Sequence, residues 1–327
     1  MKALILEKPG TPDTFYVSEM PEPQPDDGEV RIKVYAVGLN PADYKFALRG
    51  MKAWTYPWIL GLDVAGVIDA IGSNVTNWKI GDAVYYHGNL AKPGGFAEYT
   101  IASSHAIAPL PKNLSFPEAA ALPCSGFTAY QVLHRKLHLQ AGQTILIHGG
   151  AGGVGGFAIQ LAAIAQLNIF TTCSAKNVDW VRKLGATHSI DYTLEDVPAM
   201  VAKLTHGRGV DGIIDTVGSD SATTGLGMLA FGGGIACVNG LPDFSQMRSF
   251  GKALSVHDVA LGGAYLENDL QAQQDLAQIG QAFGELVSRY QLNPMLDEVI
   301  RLEDIPQALV RLSQRHVRGK IVAQIQE

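Results

Sequence analysis

Hydrophobic and polar residues alternate one for one through residues 29–37, where Val30, Ile32 and Val34 fall on one side and Arg31, Lys33 and Tyr35 on the other. A period of two marks a half-buried strand, because successive side chains of an extended chain point to opposite faces. Shorter segments of this kind at 64–71, 83–86 and 96–101 are separated by turn-forming runs such as Gly72-Ser73-Asn74 and Lys92-Pro93-Gly94-Gly95. Residues 1–122 therefore predict a β-rich, barrel-like domain.

From residue 123 the rhythm changes. A β-branched run at 144–147 precedes a glycine cluster and a helical stretch at 154–165; a strand at 169–173 and a helix at 178–184, stopped by Gly185, follow. Later strands fit 212–216 and 234–238. Short apolar strands alternating with helices predict a doubly wound parallel sheet with helices on both faces. The chain then turns helical at 279–290 and 304–315 and closes with a strand at 320–325. The fold class is α/β.

Length changes this picture by requiring about two hydrophobic cores, since 327 residues exceed the usual size of one. A net charge of -6 gives no broad basic field for a phosphate backbone, so nucleic acid is not an expected partner. Cys124, Cys173 and Cys237 are far apart and odd in number, which reads as reduced core thiols. The only apolar run near the N-terminus, residues 3–6, is too short for an export signal, and the apolar stretch 157–164 is too short to span a bilayer. A cytoplasmic protein without membrane contact is the expectation.

Gly150-Ala151-Gly152-Gly153-Val154-Gly155 fits the pattern G-x-G-x-x-G, directly after a predicted strand and at the start of a predicted helix. That context suits a dinucleotide pyrophosphate. One glycine permits the tight turn, another lets the backbone approach the anion, and the third lets helix and strand pack closely. Gly152, Gly153 and Val154 are the expected contacts. The acid that accepts from an NAD ribose belongs about 20 residues further on. Here that region reads Thr172-Cys173-Ser174-Ala175-Lys176-Asn177, with no carboxylate before Asp179. A missing acid and a present lysine favour the 2′-phosphate of NADP, with Ser174 and Lys176 as its partners; the alternative is a solvated loop lysine.

At the level of ordered blocks the sequence resembles the medium-chain dehydrogenase/reductase superfamily, within it the zinc-less quinone oxidoreductase branch. The resemblance spans nearly the whole chain. It is carried by the blocks 37–43 (VGLNPAD), 61–68 (GLDVAGVI), 94–99 (GGFAEY), 121–130 (ALPCSGFTAY), the glycine turn, and 319–322 (GKIV). It implies a GroES-like catalytic domain built from 1–122 and 268–327, a Rossmann NADP-binding domain at 123–267, a substrate cleft between the two, and a homodimer. It adds Thr128, Tyr192, Gly240, Leu241 and Lys320 to the expected cofactor contacts.

Zinc-dependent relatives carry a Cys in the segment matching Gly38–Asp43 and a His after the glycine matching Gly61. This chain has no Cys near Gly38 and has Leu62 after Gly61; only Cys124 falls where a third ligand belongs. One thiol does not make a zinc site that needs three protein ligands. His134 and His138, spaced i, i+4, read as an exposed helix end beside Arg135 and Lys136, and no metal is expected. Without a Lewis acid, either hydrogen-bond donors must polarise a carbonyl or the hydride must go to a conjugated system that spreads its own charge, as quinones and α,β-unsaturated carbonyls do. Asn40, Tyr44 and Tyr56 are the expected catalytic residues, with Lys45 a further polar neighbour. The reading is an NADPH-dependent quinone or enone reductase. Two alternatives stay open: an enoyl thioester reductase, and a non-catalytic NADPH-binding sensor or RNA-binding protein.

Overall fold

The computed structural model describes residues 1–315 and 317–326. It divides into two compact units, Met1–Phe127 with Leu261–Glu327, and Thr128–Ala260. In chain order the first unit contributes β1 (Lys2–Leu6), β2 (Tyr16–Glu19), β3 (Glu29–Gly38), β4 (Trp58–Ile59), β5 (Asp63–Ile71), β6 (Ala83–His87), β7 (Tyr99–Ser103) and β8 (Ala108–Pro109). The second holds β9 (Thr144–Ile147), β10 (Asn168–Cys173), β11 (His188–Asp191), β12 (Val210–Asp215), β13 (Leu229–Cys237) and β14 (Ser255–Asp258). The chain returns to the first unit with β15 (Leu296–Arg301) and β16 (Lys320–Gln324).

In the first unit the strands run in the order β15-β16-β3-β5-β6-β8, beside a smaller sheet β2-β1-β4. The long strand β3 organises it. Its first half pairs with β7 and its last residues with β16, while β5 runs antiparallel along the other side. Val30, Ile32 and Val34 are fully buried, as their alternation requires. They join Leu4, Leu6, Ile68 and Phe96 in a core that the C-terminal helix Ile305–Ser313 completes with Ile305, Ala308 and Leu309.

The second unit is a six-stranded sheet in the order β11-β10-β9-β12-β13-β14, with every neighbouring pair parallel. Strand order reverses at β9. The helices Gly153–Ile164 and Val178–Leu184 pack together, as do Val197–Leu204 and Ser219–Met228. Among the described residues no helix is long and apolar enough to cross a membrane.

The boundaries between the units fall at 127/128 and 260/261 rather than at 122/123 and 267/268. Residues 123–127 stay with the first unit because Cys124 N–H donates to Asp63 and Phe127 packs edge-on against Tyr85 and Phe283. Tyr265 belongs there too, its hydroxyl donating to the His87 carbonyl at 2.9 Å. The expected strand at 96–101 begins later, at Tyr99, because Phe96 N–H is drawn to the Leu60 carbonyl.

Candidate active site

Strand register assembles a buried polar cluster in the first unit. Val322 of β16 lies opposite Gly38 of β3, Gly38 opposite Asp63 of β5, and Asp63 opposite His87 of β6. Residues directly opposite share a face, and Lys320, two residues from Val322, shares it as well. Gly38 leaves its place on that face free of a side chain, and a Cβ there would lie 2.2 Å from the Ala120 carbonyl oxygen. Lys320 therefore reaches across to Asp63.

The Lys320 ammonium donates to the Leu39 carbonyl at 2.9 Å, to Asn40 Oδ1 at 2.5 Å and to Asp63 Oδ2 at 3.1 Å. Asp63 Oδ1 accepts from Cys124 N–H at 2.8 Å and lies 3.3 Å from His87 Nδ1. The Asp63 and Lys320 side chains are 0% and 4% exposed. Burial alone would raise the Asp63 pKa, but the Lys320 charge and the His87 hydrogen bond prevail and hold it below the usual carboxylate range. Burial pushes the Cys124 thiol well up, and the Asp63 charge adds to this. Cys124 is therefore held as a thiol.

Asn40 caps the helix Pro41–Arg49, with Pro41 in its first turn and Asp43 Oδ2 accepting the Asn40 N–H at 2.8 Å. Asp43 Oδ1 is buried without a partner, and burial carries the Asp43 pKa from 3.8 to about 7. Between those two values the unfolded chain releases this proton and the folded chain keeps it, so stability falls as pH rises through that window. The loss amounts to roughly 4 kcal/mol and is complete above about pH 7. Asp43→Asn, which mimics the protonated acid, should flatten this decline. Thermal melts of both proteins from mildly acidic to mildly alkaline pH check it, and parallel profiles would contradict it.

Tyr44 is half-buried on the same helix and packs against the core, as does Tyr56. The Tyr56 hydroxyl is buried with no hydrogen-bond partner, and its ring stands edge-on to Trp54 at 6.3 Å. Lys45 is half-buried, and burial together with the charges of Arg315 and Arg49 lowers its pKa. Asn40, expected to meet substrate, is 1% exposed, with its side-chain oxygen committed to Lys320. It is also the N-cap of the helix Pro41–Arg49. Lys320, expected at the cofactor, has its three N–H groups committed to Leu39, Asn40 and Asp63, which leaves none for a phosphate.

In the second unit the turn after β9 has the anatomy of an anion cradle. Gly149 has φ +70°, and its N–H donates to Thr172 Oγ1 at 3.1 Å. A Cβ at Gly150 would lie 2.1 Å from Thr171 Oγ1, and one at Gly155 would lie 2.3 Å from the Gly149 carbonyl oxygen. At Gly152 a Cβ would meet only one atom, at 3.4 Å, so the chain there is open to a ligand while its neighbours are closed by the fold. Gly153 and Val154 follow as the first turn of the helix Gly153–Ile164, whose N-terminal N–H groups suit a pyrophosphate.

Because the sheet is parallel, the carboxyl ends of its strands share one edge, and that edge gathers most of the expected cofactor residues. Ser174 and Lys176 follow β10, exposed Tyr192 follows β11, and Gly240 and Leu241 follow β13. Asn239 Nδ2 donates to the Val217 carbonyl, tying the loop after β13 to the loop after β12. Thr128 is instead buried at the start of the helix Thr128–Gln131. Sequence reasoning missed Asp191 at the end of β11. Its carboxylate accepts from Thr193 Oγ1 and N–H, and a bond from Ala175 N–H helps to lower its pKa. It also missed His148 and Asp215, which carry a buried Nε2 and Oδ2 without partners at the ends of β9 and β12. A charged or imidazole side chain closing an apolar strand is the signal that marks both. The helical pairing of His134 and His138 fails because the helix ends at Leu137 and His138 turns left-handed at φ 47°.

Residues 26–112 match the alcohol dehydrogenase GroES-like domain, and residues 184–322 match the zinc-binding dehydrogenase family. The quinone oxidoreductase of Lama guanicoe is 30% identical over an alignment covering 98% of this chain and 97% of its own. The chain belongs to the medium-chain dehydrogenase/reductase superfamily. Within it the chain is quinone oxidoreductase-like, and it is an oxidoreductase. The solved quinone oxidoreductase of Coxiella burnetii is 31% identical with a TM-score of 0.86, covering 100% of this chain and 99% of that one. A mycobacterial protein solved in complex with NADPH is 25% identical with a TM-score of 0.88, covering 99% and 100%.

A medium-chain dehydrogenase/reductase with a zinc-binding relative raises the question of the metal. The positions at which zinc-dependent relatives carry their ligands do not supply a full set for one here. Leu62 is apolar, Asn40 bonds the Lys320 ammonium, and both Asp63 oxygens are already taken. No step is assigned to zinc.

Proposed function

We propose that this oxidoreductase reduces quinones or α,β-unsaturated carbonyls with NADPH and without zinc. The glycine turn from Gly149 to Gly155, open only where a pyrophosphate would approach, carries the reading. Gly152, Gly153 and Val154 hold the pyrophosphate, Lys176 and Ser174 the 2′-phosphate, and Tyr192 the adenosine end. The bound nicotinamide supplies the hydride. The protein's part is orientation and hydrogen bonding. Tyr56 supplies the donor to the acceptor's oxygen, because its buried hydroxyl lacks a partner in the fold and such a vacancy costs about 1–3 kcal/mol unless something fills it. Tyr44 lines the approach. The proposal includes a cytoplasmic location and a homodimer, for which the outer edge of β14, at the end of its sheet, is available.

The test is NADPH oxidation, followed by nicotinamide absorbance, against quinones, enones, enoyl thioesters and an unactivated aldehyde. Turnover should be highest with the first two classes, and Tyr56→Phe should lower kcat/KM for them about tenfold while leaving the NADPH Kd unchanged. Preference for enoyl thioesters favours that alternative. NADPH binding with no turnover of any acceptor favours a sensor and sinks the reductase.

A further inference from the structure

The glycine turn stands beside a row of polar side chains that crosses the parallel sheet. Register pairs Ile147 of β9 with Thr171 of β10 and with Ile214 of β12, so one residue further on His148 lies between Thr172 and Asp215. The His148 N–H donates to the Ile214 carbonyl at 3.0 Å, and the Thr216 hydroxyl donates to the His148 carbonyl at 2.9 Å, which carries the pairing to the end of both strands. Residues in register share a face of the sheet. Thr172, His148 and Asp215 are all buried.

Their hydrogens can be assigned one by one. Thr172 Oγ1 accepts from the Gly149 N–H at 3.1 Å and lies 3.3 Å from His148 Nδ1. Were Nδ1 to donate, the threonine hydroxyl hydrogen would find no acceptor among the described residues, so Nδ1 accepts it. Burial lowers the His148 pKa, and the Asp215 charge offsets this only in part, so the ring is neutral at neutral pH. Its one hydrogen then sits on Nε2. Asp215 Oδ1 accepts from the N–H groups of Val217 at 2.9 Å and Gly218 at 3.0 Å. A buried donor, His148 Nε2–H, and a buried acceptor, Asp215 Oδ2, are left without partners in the protein.

We propose that one buried water bridges His148 Nε2–H and Asp215 Oδ2, and that His148 and Asp215 are thereby positioning residues for the dinucleotide. Such a water accepts from the imidazole and donates to the carboxylate, the role buried waters fill between polar groups that lack protein partners. The chain then runs from the Gly149 N–H through Thr172, His148 and the water to Asp215, and every hydrogen in it points towards the carboxylate. Bonds aligned in this way polarise and strengthen one another. The chain fixes Gly149, the left-handed first residue of the turn, against the loop that follows β12, and so holds the turn in shape before a ligand arrives. A pyrophosphate is common to NADH and NADPH, so the chain sets affinity for both and leaves the choice between them to Lys176.

The inference rests on the dinucleotide reading of the glycine turn. Its test measures Kd for NADPH and NADH in full-length wild type, His148→Phe and His148→Gln, with melting temperatures and the ¹⁵N spectrum of the wild-type histidines. His148 should show the shifts of a neutral ring protonated at Nε2. His148→Phe, which breaks the chain on both sides of the ring, should weaken both cofactors about tenfold. His148→Gln, which keeps one donor and one acceptor at its tip, should return both to within about threefold of wild type. If His148→Phe does not fold, Asp215→Asn reads the same chain: it keeps the oxygen that accepts from Val217 and Gly218 but turns the last acceptor into a donor, and both Kd values should rise about threefold or more. A folded variant that melts lower yet binds both cofactors as wild type does has lost only structure, and overturns the inference while the dinucleotide reading stands. An Nδ1–H tautomer, or a loss confined to NADPH, overturns it as well. A wild type that binds neither cofactor overturns both.

Discussion

Lys176→Ala is expected to weaken NADPH binding about ten- to 150-fold while leaving NADH binding nearly unchanged, because a hydrogen bond to a charged group is worth roughly 1.5–3 kcal/mol. Lys176 is exposed in the short turn Ala175–Asn177 that follows β10. Asn177 Nδ2 bonds Ser174 Oγ, and Ala175 N–H meets Asp191, so the backbone that presents Lys176 is fixed at both ends. The opposing charge is Asp191, whose hydrogen bonds from Thr193 lower its pKa and keep it an anion. On the proposed reading, discrimination rests on one cation working against one carboxylate. Ser174→Asp should invert it, since a second carboxylate repels the 2′-phosphate and accepts from a free ribose hydroxyl. Equilibrium Kd values for both cofactors in three proteins decide this: equal losses for NADH and NADPH in Lys176→Ala would rule out a 2′-phosphate role.

How far the sequence carried differs between the two units for a physical reason. Local signals sufficed where an element's neighbours in the chain determine it. The alternation of 29–37 reappears as β3, the helix 178–184 ends at the left-handed Gly185, and the glycine turn lies between β9 and its helix. The helix Pro41–Arg49 was missed although Asn40, Pro41 and Gly50 mark its two ends, because its composition is mixed and no apolar stripe announces it. Strands β14 and β15 were missed for a related reason: each is short and at least half polar, with a single buried residue in the two together, so neither alternates visibly. The buried cluster was beyond local reading altogether. Lys320 and Leu39 are 281 positions apart, and Asp63, His87 and Cys124 meet only once the register of β3, β5, β6 and β16 is known. What the sequence did offer was a charged residue opening an apolar run, Asp63 before Val64 and Lys320 before Ile321, the pattern of a buried polar group that must find its partner in the fold.

Asp63→Ala is expected to be the most destabilising of these substitutions. It leaves the Lys320 ammonium buried without its counter-charge and removes the acceptor for Cys124 N–H and His87. Breaking a buried ion pair from one side costs about 3–5 kcal/mol, which for a unit of this size lowers the melting temperature by roughly 6–20 °C. Replacing both partners is a different experiment. In Asp63→Leu/Lys320→Met no charge is stranded, and apolar side chains of similar volume restore much of the loss. Full recovery is not expected, because Asn40 Oδ1 loses its donor and the Cys124 N–H its acceptor, and these bonds tie residues 123–127 and the Pro41–Arg49 helix to the sheet. The double variant should therefore melt between Asp63→Ala and wild type, with a coupling energy of the order of 2–3 kcal/mol in a metal-free double-mutant cycle through Asp63→Leu and Lys320→Met. Additive losses in that cycle would show that Asp63 and Lys320 act separately, and the ion pair would then not be what joins β5 to β16 in this cluster.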